Sequence, residues 1–240
     1  MIKPPQIDRL KAKARAVYDL LGQAYGIKPW KPRREALREL ISTILSHRTT
    51  SAQEWAAMEQ LWQKFGRWEA IRDAPVEEIA QAIHGVNWPE RKAPQLKRVL
   101  QIISERRNGD FDIGFLRDLP TDEALAWLTS LPGVGVKTAS LVLLFNFRHP
   151  IMPVDTHVHR VSQRLGLIGP KTTPEQAHKI LPALLPADPD VYWNFHLNMI
   201  RLGREVCVSG RPRCERCVLT GVCDYYARVV LAKGKSAEAS

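Results

Sequence analysis

Apolar residues recur along the chain at intervals of three and four, the period of a helix, and no stretch shows the alternation of a half-buried strand. Ile7, Leu10, Ala14, Val17, Leu20, Leu21 and Ala24 form a first stripe, closed by Gly26. Leu37, Leu40, Ile41, Ile44 and Leu45 form a second. Ser51 and Glu54 are spaced as a capping box ahead of Trp55, Met58, Leu61, Trp62 and Phe65. The pattern predicts further helices over Pro75–Ile83 and from about Pro94 to Arg106. It also predicts one capped by Thr121, with Asp122 and Glu123 where the dipole favours acid, and one over Ala139–Phe145. Asp155, just after Pro153, is placed to cap a helix from Thr156 towards Leu165. Thr173, Pro174 and Gln176 open another, and Asp190–Leu202 is the last long one. The fold class is therefore all-α. The small polar tail from Lys233 to Ser240 is expected to be disordered.

Composition adds a partner class rather than a fold. At 240 residues, 45% hydrophobic and 25% charged, the chain has the make-up of an ordinary globular protein with one large core or two modest ones. A net charge of +10 points to a polyanion, nucleic acid first, or to a surface that is merely basic. No membrane span or signal peptide is legible, so the expected place is the cytosol or nucleoid of a bacterium.

Candidate chemistry concentrates in Leu131-Pro132-Gly133-Val134-Gly135-Val136-Lys137-Thr138-Ala139. Pro132 stops one helix, and the two glycines allow angles closed to other residues before a second helix begins. Helix, hairpin, helix leaves backbone N–H groups and a helix N-terminus for a phosphate oxygen. Lys137 breaks a local rule, because a cation in the first turn meets the positive end of the dipole. Either it pairs with a phosphate held by the hairpin, or it is an amine nucleophile whose pKa is lowered by dipole and burial. Eighteen residues on, Val154-Asp155-Thr156-His157 offers a fixed carboxylate suited to facing a cationic sugar.

Cys207, Cys214, Cys217 and Cys223 are spaced C-x6-C-x2-C-x5-C. A cytosolic chain does not normally oxidise such a cluster to disulfides, and four thiolates on short loops suit a tetrahedral zinc or an iron–sulfur centre. Chemistry alone does not choose between these.

Together the hairpin lysine, the V-D-T-H aspartate and the cysteine spacing resemble the helix-hairpin-helix DNA glycosylases, in their iron–sulfur branch with endonuclease III. The resemblance runs from about Ala36 to Cys223. It implies two helical domains flanking a cleft: a six-helix bundle with the hairpin over 29–149, and an iron–sulfur domain built from 1–28 and 150–240. It implies Lys137 and Asp155 as the catalytic pair, a 4Fe–4S cluster on the four cysteines, and a monomer acting on double-stranded DNA with damaged bases or abasic sites. The implied activity is excision of oxidised pyrimidines such as thymine glycol through a lysine Schiff base, followed by β-elimination. Leu131, Gly133, Val134 and Gly135 would contact DNA, with Arg211 and Arg213 of the cluster loop on phosphate. The adenine-mismatch relatives lack the hairpin lysine, and the thymine-mismatch relatives carry tyrosine there.

The chain departs from that pattern where substrate is read. Arg48 stands where relatives carry a glutamine that fills the gap left by a flipped base, and Ser51 stands at an aspartate position. Arg48 is suited to hydrogen-bonding an orphan base, guanine well, or else it grips phosphate. Ser46, His47 and His157 are the base-pocket candidates. The second loop, Gly85 to Lys92, offers Trp88 or Val86 for insertion into the stack. Two other readings stay open: an AP lyase or lesion-binding module with narrowed or lost glycosylase activity, and a redox-responsive DNA-binding sensor.

Overall fold

The hydrophobic stripes become helices. The computed structural model describes residues 4–32 and 34–231, and the chain runs α1 (Pro4–Tyr25), α2 (Ala36–Leu45), α3 (Ser51–Phe65), α4 (Trp68–Asp73), α5 (Val76–Ala82), α6 (Pro89–Arg106), α7 (Thr121–Thr129), α8 (Val136–Phe147), α9 (Thr156–Leu165), α10 (Pro174–Ile180) and α11 (Pro189–Glu205). Short 3-10 turns lie at Gly114–Asp118, Pro182–Leu184, Cys214–Arg216 and Thr220–Val222, and a π-helical segment covers Tyr226–Leu231. The described residues contain no strand. The tail expected to be disordered lies outside them.

Two units divide the chain: the described parts of Met1–Lys31 with Arg148–Ser240, and Pro32–Phe147. In the second, α8 is the central helix, with every residue from Thr138 to Phe147 buried except Leu141. A helix buried on nearly all sides belongs at the middle of a core, and α2, α7 and the 3-10 turn at Gly114–Asp118 pack on it. Leu40, Ile41, Ile44, Leu61, Ile79, Leu96, Leu100 and Ile103 complete that core. In the other unit α1 turns Ala14, Val17 and Leu21 inward against α11, which buries Tyr192, Phe195, Met199 and Leu202. α9 packs on α11 at Gly203, where a Cβ would lie 2.8 Å from the Cβ of His157.

Several helix starts differ from the sequence expectation. Pro120, not Thr121, is the N-cap of α7, and Thr121 is its first helical residue. The capping box of α3 is Thr50 with Gln53, not Ser51 with Glu54. Glu54 is engaged elsewhere: its carboxylate pairs with Arg34 at 2.7 Å, both side chains 6% exposed, and it also bonds Ser42. Removing one partner of such a buried pair typically costs about 3–5 kcal/mol, because the other charge is left uncompensated. α6 begins at Pro89, five residues before the expected start, because Pro89 suits a first helical position and Pro94 is accommodated on an exposed part of the helix. α4 is six residues long, too short for a period to show.

Candidate active site and cysteine cavity

The hairpin is a tight turn with a specific geometry. Val134 N–H donates to the Leu131 carbonyl at 3.1 Å, with Pro132 and Gly133 between them. Gly133 has φ +70°, the positive value that a type II turn needs at its third residue. A Cβ there would also lie 2.1 Å from Nε2 of Gln95, which donates to the Pro132 carbonyl at 3.2 Å. Gly135 is different: its φ is not positive, and a Cβ would meet nothing within 4 Å. Only one of the two glycines is thus required by the turn itself. Leu131 and Val134 are buried, which leaves their backbone, not their side chains, for an external partner.

These facts separate two substitutions. Gly133→Ala is expected to cost roughly 1–3 kcal/mol of stability through its forced positive φ. Gly135→Ala, at the N-cap position of α8, should cost about 0.5–1 kcal/mol of stability and weaken duplex binding where phosphate approaches the backbone. Thermal melts and binding isotherms on both variants check the contrast, and equal binding by Gly135→Ala and wild type would remove the phosphate from that site.

Lys137 is the second residue of α8 and is half-buried. Its neighbour Thr138 is buried, and the Thr138 hydroxyl lies 3.4 Å from Nε2 of His47. Desolvation first, then the charges of Lys137 and Lys92, push the His47 imidazole below its usual pKa. Ser46 caps α2 and its hydroxyl donates to the Thr43 carbonyl at 2.7 Å. Arg48 and Trp88 both adopt positive φ, +51° and +56°, and the guanidinium sits over the indole at 5.9 Å. Trp88 is 44% exposed whereas Val86 is 4% exposed, so of the two candidates for insertion only Trp88 is available. Lys92 was not singled out by its sequence. It is buried, and burial pushes its ammonium pKa down to about 8.

In the other unit Asp155 is the N-cap of α9, its carboxylate accepting from Val158 N–H at 2.8 Å. His157 Nδ1 is 3.2 Å from Nη2 of Arg160, and the Arg160 guanidinium also donates to the carbonyls of Gly203 and Cys207. The helix that carries Asp155 is therefore tied to the first cysteine. All four cysteines line one pocket, together with Arg164, Tyr225 and Tyr226. Arg164 donates to Cys207 Sγ at 3.3 Å and to the Val208 carbonyl at 2.6 Å. Burial, and then the neighbouring thiolates, push the thiols of Cys214, Cys217 and Cys223 up. Such a group forms thiolates readily only around added positive charge. Among the described residues no group of three His, Cys, Asp or Glu side chains is gathered closely enough to hold a single ion; the four thiols share the lining of one pocket. Arg211 and Arg213 are exposed, and Arg213 donates to the Glu205 carbonyl at 3.0 Å.

Residues 41–187 match the HhH-GPD superfamily of base excision DNA repair proteins. The chain is 33% identical over 194 residues to endonuclease III of Thermotoga maritima, covering 81% of this chain and 85% of that one. It is 32% identical over 185 residues to endonuclease III of Bacillus subtilis, covering 77% and 78%. Among solved structures, a trapped endonuclease III–DNA covalent intermediate superimposes with TM-score 0.78 at 27% identity, covering 96% of this chain and all of that one. The chain belongs to the HhH-GPD superfamily of base excision DNA repair proteins, within which it is an endonuclease III-like DNA glycosylase. No helix among the described residues is long and apolar enough to cross a membrane.

Proposed function

We propose that the protein excises oxidised pyrimidines, thymine glycol among them, from double-stranded DNA and then cuts the strand as an AP lyase, with Lys137 as the nucleophile. The observation that carries this reading is the half-buried Lys137 in the first turn of α8, directly after the glycine turn. There the amine stands beside the backbone groups that would hold a phosphate, next to the nucleotide those groups would fix. Asp155 supports the assignment because its cap bond to Val158 fixes a carboxylate.

The steps follow from these groups. The damaged nucleotide leaves the stack, since its anomeric carbon is shielded inside the duplex. The Lys137 amine bonds to that carbon, the glycosidic bond breaks, and the base departs with the electron pair and takes a proton. The sugar ring opens, giving an iminium between Lys137 and the sugar. The iminium acidifies the adjacent carbon; loss of a proton there expels the 3′ phosphate oxygen, cutting the strand. Asp155 stabilises positive charge on the sugar, an electrostatic role suited to a fixed carboxylate. Hairpin amides hold phosphate, and Arg48 and Trp88 fill the vacated space, Arg48 pairing with the orphan base. Cys207, Cys214, Cys217 and Cys223 would hold a 4Fe–4S cluster that staples the C-terminal loops and places Arg211 and Arg213 for phosphate. The protein works as a monomer in the cytosol or nucleoid.

Asp155→Asn tests the carboxylate without removing the cap, because Asn caps a helix about as well as Asp. Stability should stay within about 0.5 kcal/mol of wild type, while the single-turnover rate on a thymine glycol duplex falls on the order of a hundredfold. Release of thymine glycol and 3′ nicking by wild type support the reading. Nicking of abasic duplex alone would reduce the protein to a lyase.

A further inference from the structure

In the sequence Lys92 closes the second loop, Gly85 to Lys92. The structure buries it, at 5% exposure. Its ammonium donates to three oxygens: the Leu45 carbonyl at 2.6 Å, the His47 carbonyl at 2.9 Å and the Thr49 hydroxyl at 2.9 Å. An ammonium has three N–H groups, so this set uses all of them. Leu45 ends α2, where the negative end of the helix dipole favours a cation. The backbone N–H of Lys92 meanwhile donates to the Trp88 carbonyl at 3.1 Å. That backbone bond belongs to the first turn of α6, so the side chain that grips the 45–49 turn carrying Arg48 starts one helical turn from Trp88.

The same two segments are joined a second time beside it. Asn87 N–H donates to the Thr49 hydroxyl at 3.3 Å, and the Asn87 side chain donates to the Arg48 carbonyl. Arg48 and Trp88 need such support, since both hold a positive φ that side-chain-bearing residues rarely adopt. Backbone of this kind persists only where its surroundings over-determine it. Here the surroundings are a buried cation and an exposed asparagine, and the product is an arginine stacked on an exposed tryptophan.

We propose that Lys92 is a positioning residue, whose ammonium locks Arg48 and Trp88 into the one arrangement in which both enter a damaged duplex together. The proposal rests on the reading that these loops insert into DNA. It predicts that Lys92 touches no nucleotide and acts only through the two side chains it holds.

The test uses the full-length protein and a duplex with an uncleavable tetrahydrofuran site opposite 2-aminopurine, whose fluorescence rises when a side chain disturbs its stacking. Wild type should give a clear rise at saturation. Lys92→Met should bind about tenfold more weakly, as expected for losing charged hydrogen bonds, and should give less than about half of the rise when saturated. Asn87→Ala, an exposed change that loosens the same network, should shift both readouts in the same direction by less. In a background already carrying Arg48→Ala and Trp88→Ala, Lys92→Met should cost less than about twofold, the mark of residues acting as a unit. A full wild-type rise from saturated Lys92→Met, or an undiminished tenfold loss in the double-alanine background, would overturn the proposal. If wild type itself gives no rise, the insertion reading fails first and the proposal falls with it.

Discussion

Lys137→Ala is expected to abolish base excision and strand cleavage together while leaving the protein folded and able to bind an abasic analogue. In the proposed mechanism both reactions pass through the same amine, so both should fall by at least about a thousandfold, the scale on which loss of a nucleophile is felt. The fold should tolerate the change. Lys137 is half-buried at the start of a helix, and alanine is the strongest helix former, so helix propensity favours the replacement. Binding should change by less than about tenfold, because one phosphate-range charge among many contributes modestly. Single-turnover cleavage and binding isotherms on the same preparation separate these effects. A variant that binds about a thousandfold more weakly yet cuts normally when saturated would instead make Lys137 a phosphate ligand.

Cys217→Ser is the second large effect. The four thiols line one cavity, and burial holds three of them against ionisation. A bound centre would supply the missing positive charge and tie Val206 to Tyr226 into one piece. Binding energy of that kind is folding energy. Losing one ligand should remove iron and acid-labile sulfide from the purified protein and lower the Tm by at least about 10 °C. The serine is nearly isosteric and the position is half-buried, so the change without metal loss would be mild. Unchanged iron content, or metal loss with an unchanged Tm, would deny the cluster its structural role.

Local signals carried far in this chain. The Asp155 cap was legible because a proline, a capping side chain and an apolar stripe coincide within a few residues. Thr173 with Gln176 was legible for the same reason, and the structure shows that capping box. What failed depended on distant partners. Glu54 looked like half of a capping box, but Arg34 and Ser42 claim it. Gly133 and Gly135 looked alike, and only the backbone angle and the close approach of Gln95 distinguish them. Trp88 and Val86 both stood as candidates for insertion, and burial separates them. Lys92 gave no signal, since its acceptors come from a turn more than forty residues away. Charged residues are read from sequence as solvated, and only a folded environment reveals the buried exception.

The most direct test of the central assignment is to locate the covalent bond. Wild-type protein is incubated with a thymine glycol duplex and with an abasic duplex, reduced with borohydride, digested, and read by mass spectrometry. The account predicts a reduced sugar remnant on the Lys137 peptide from both substrates. A remnant on any other lysine or on the N-terminal amine, or no adduct from a protein that demonstrably cuts the DNA, would contradict it.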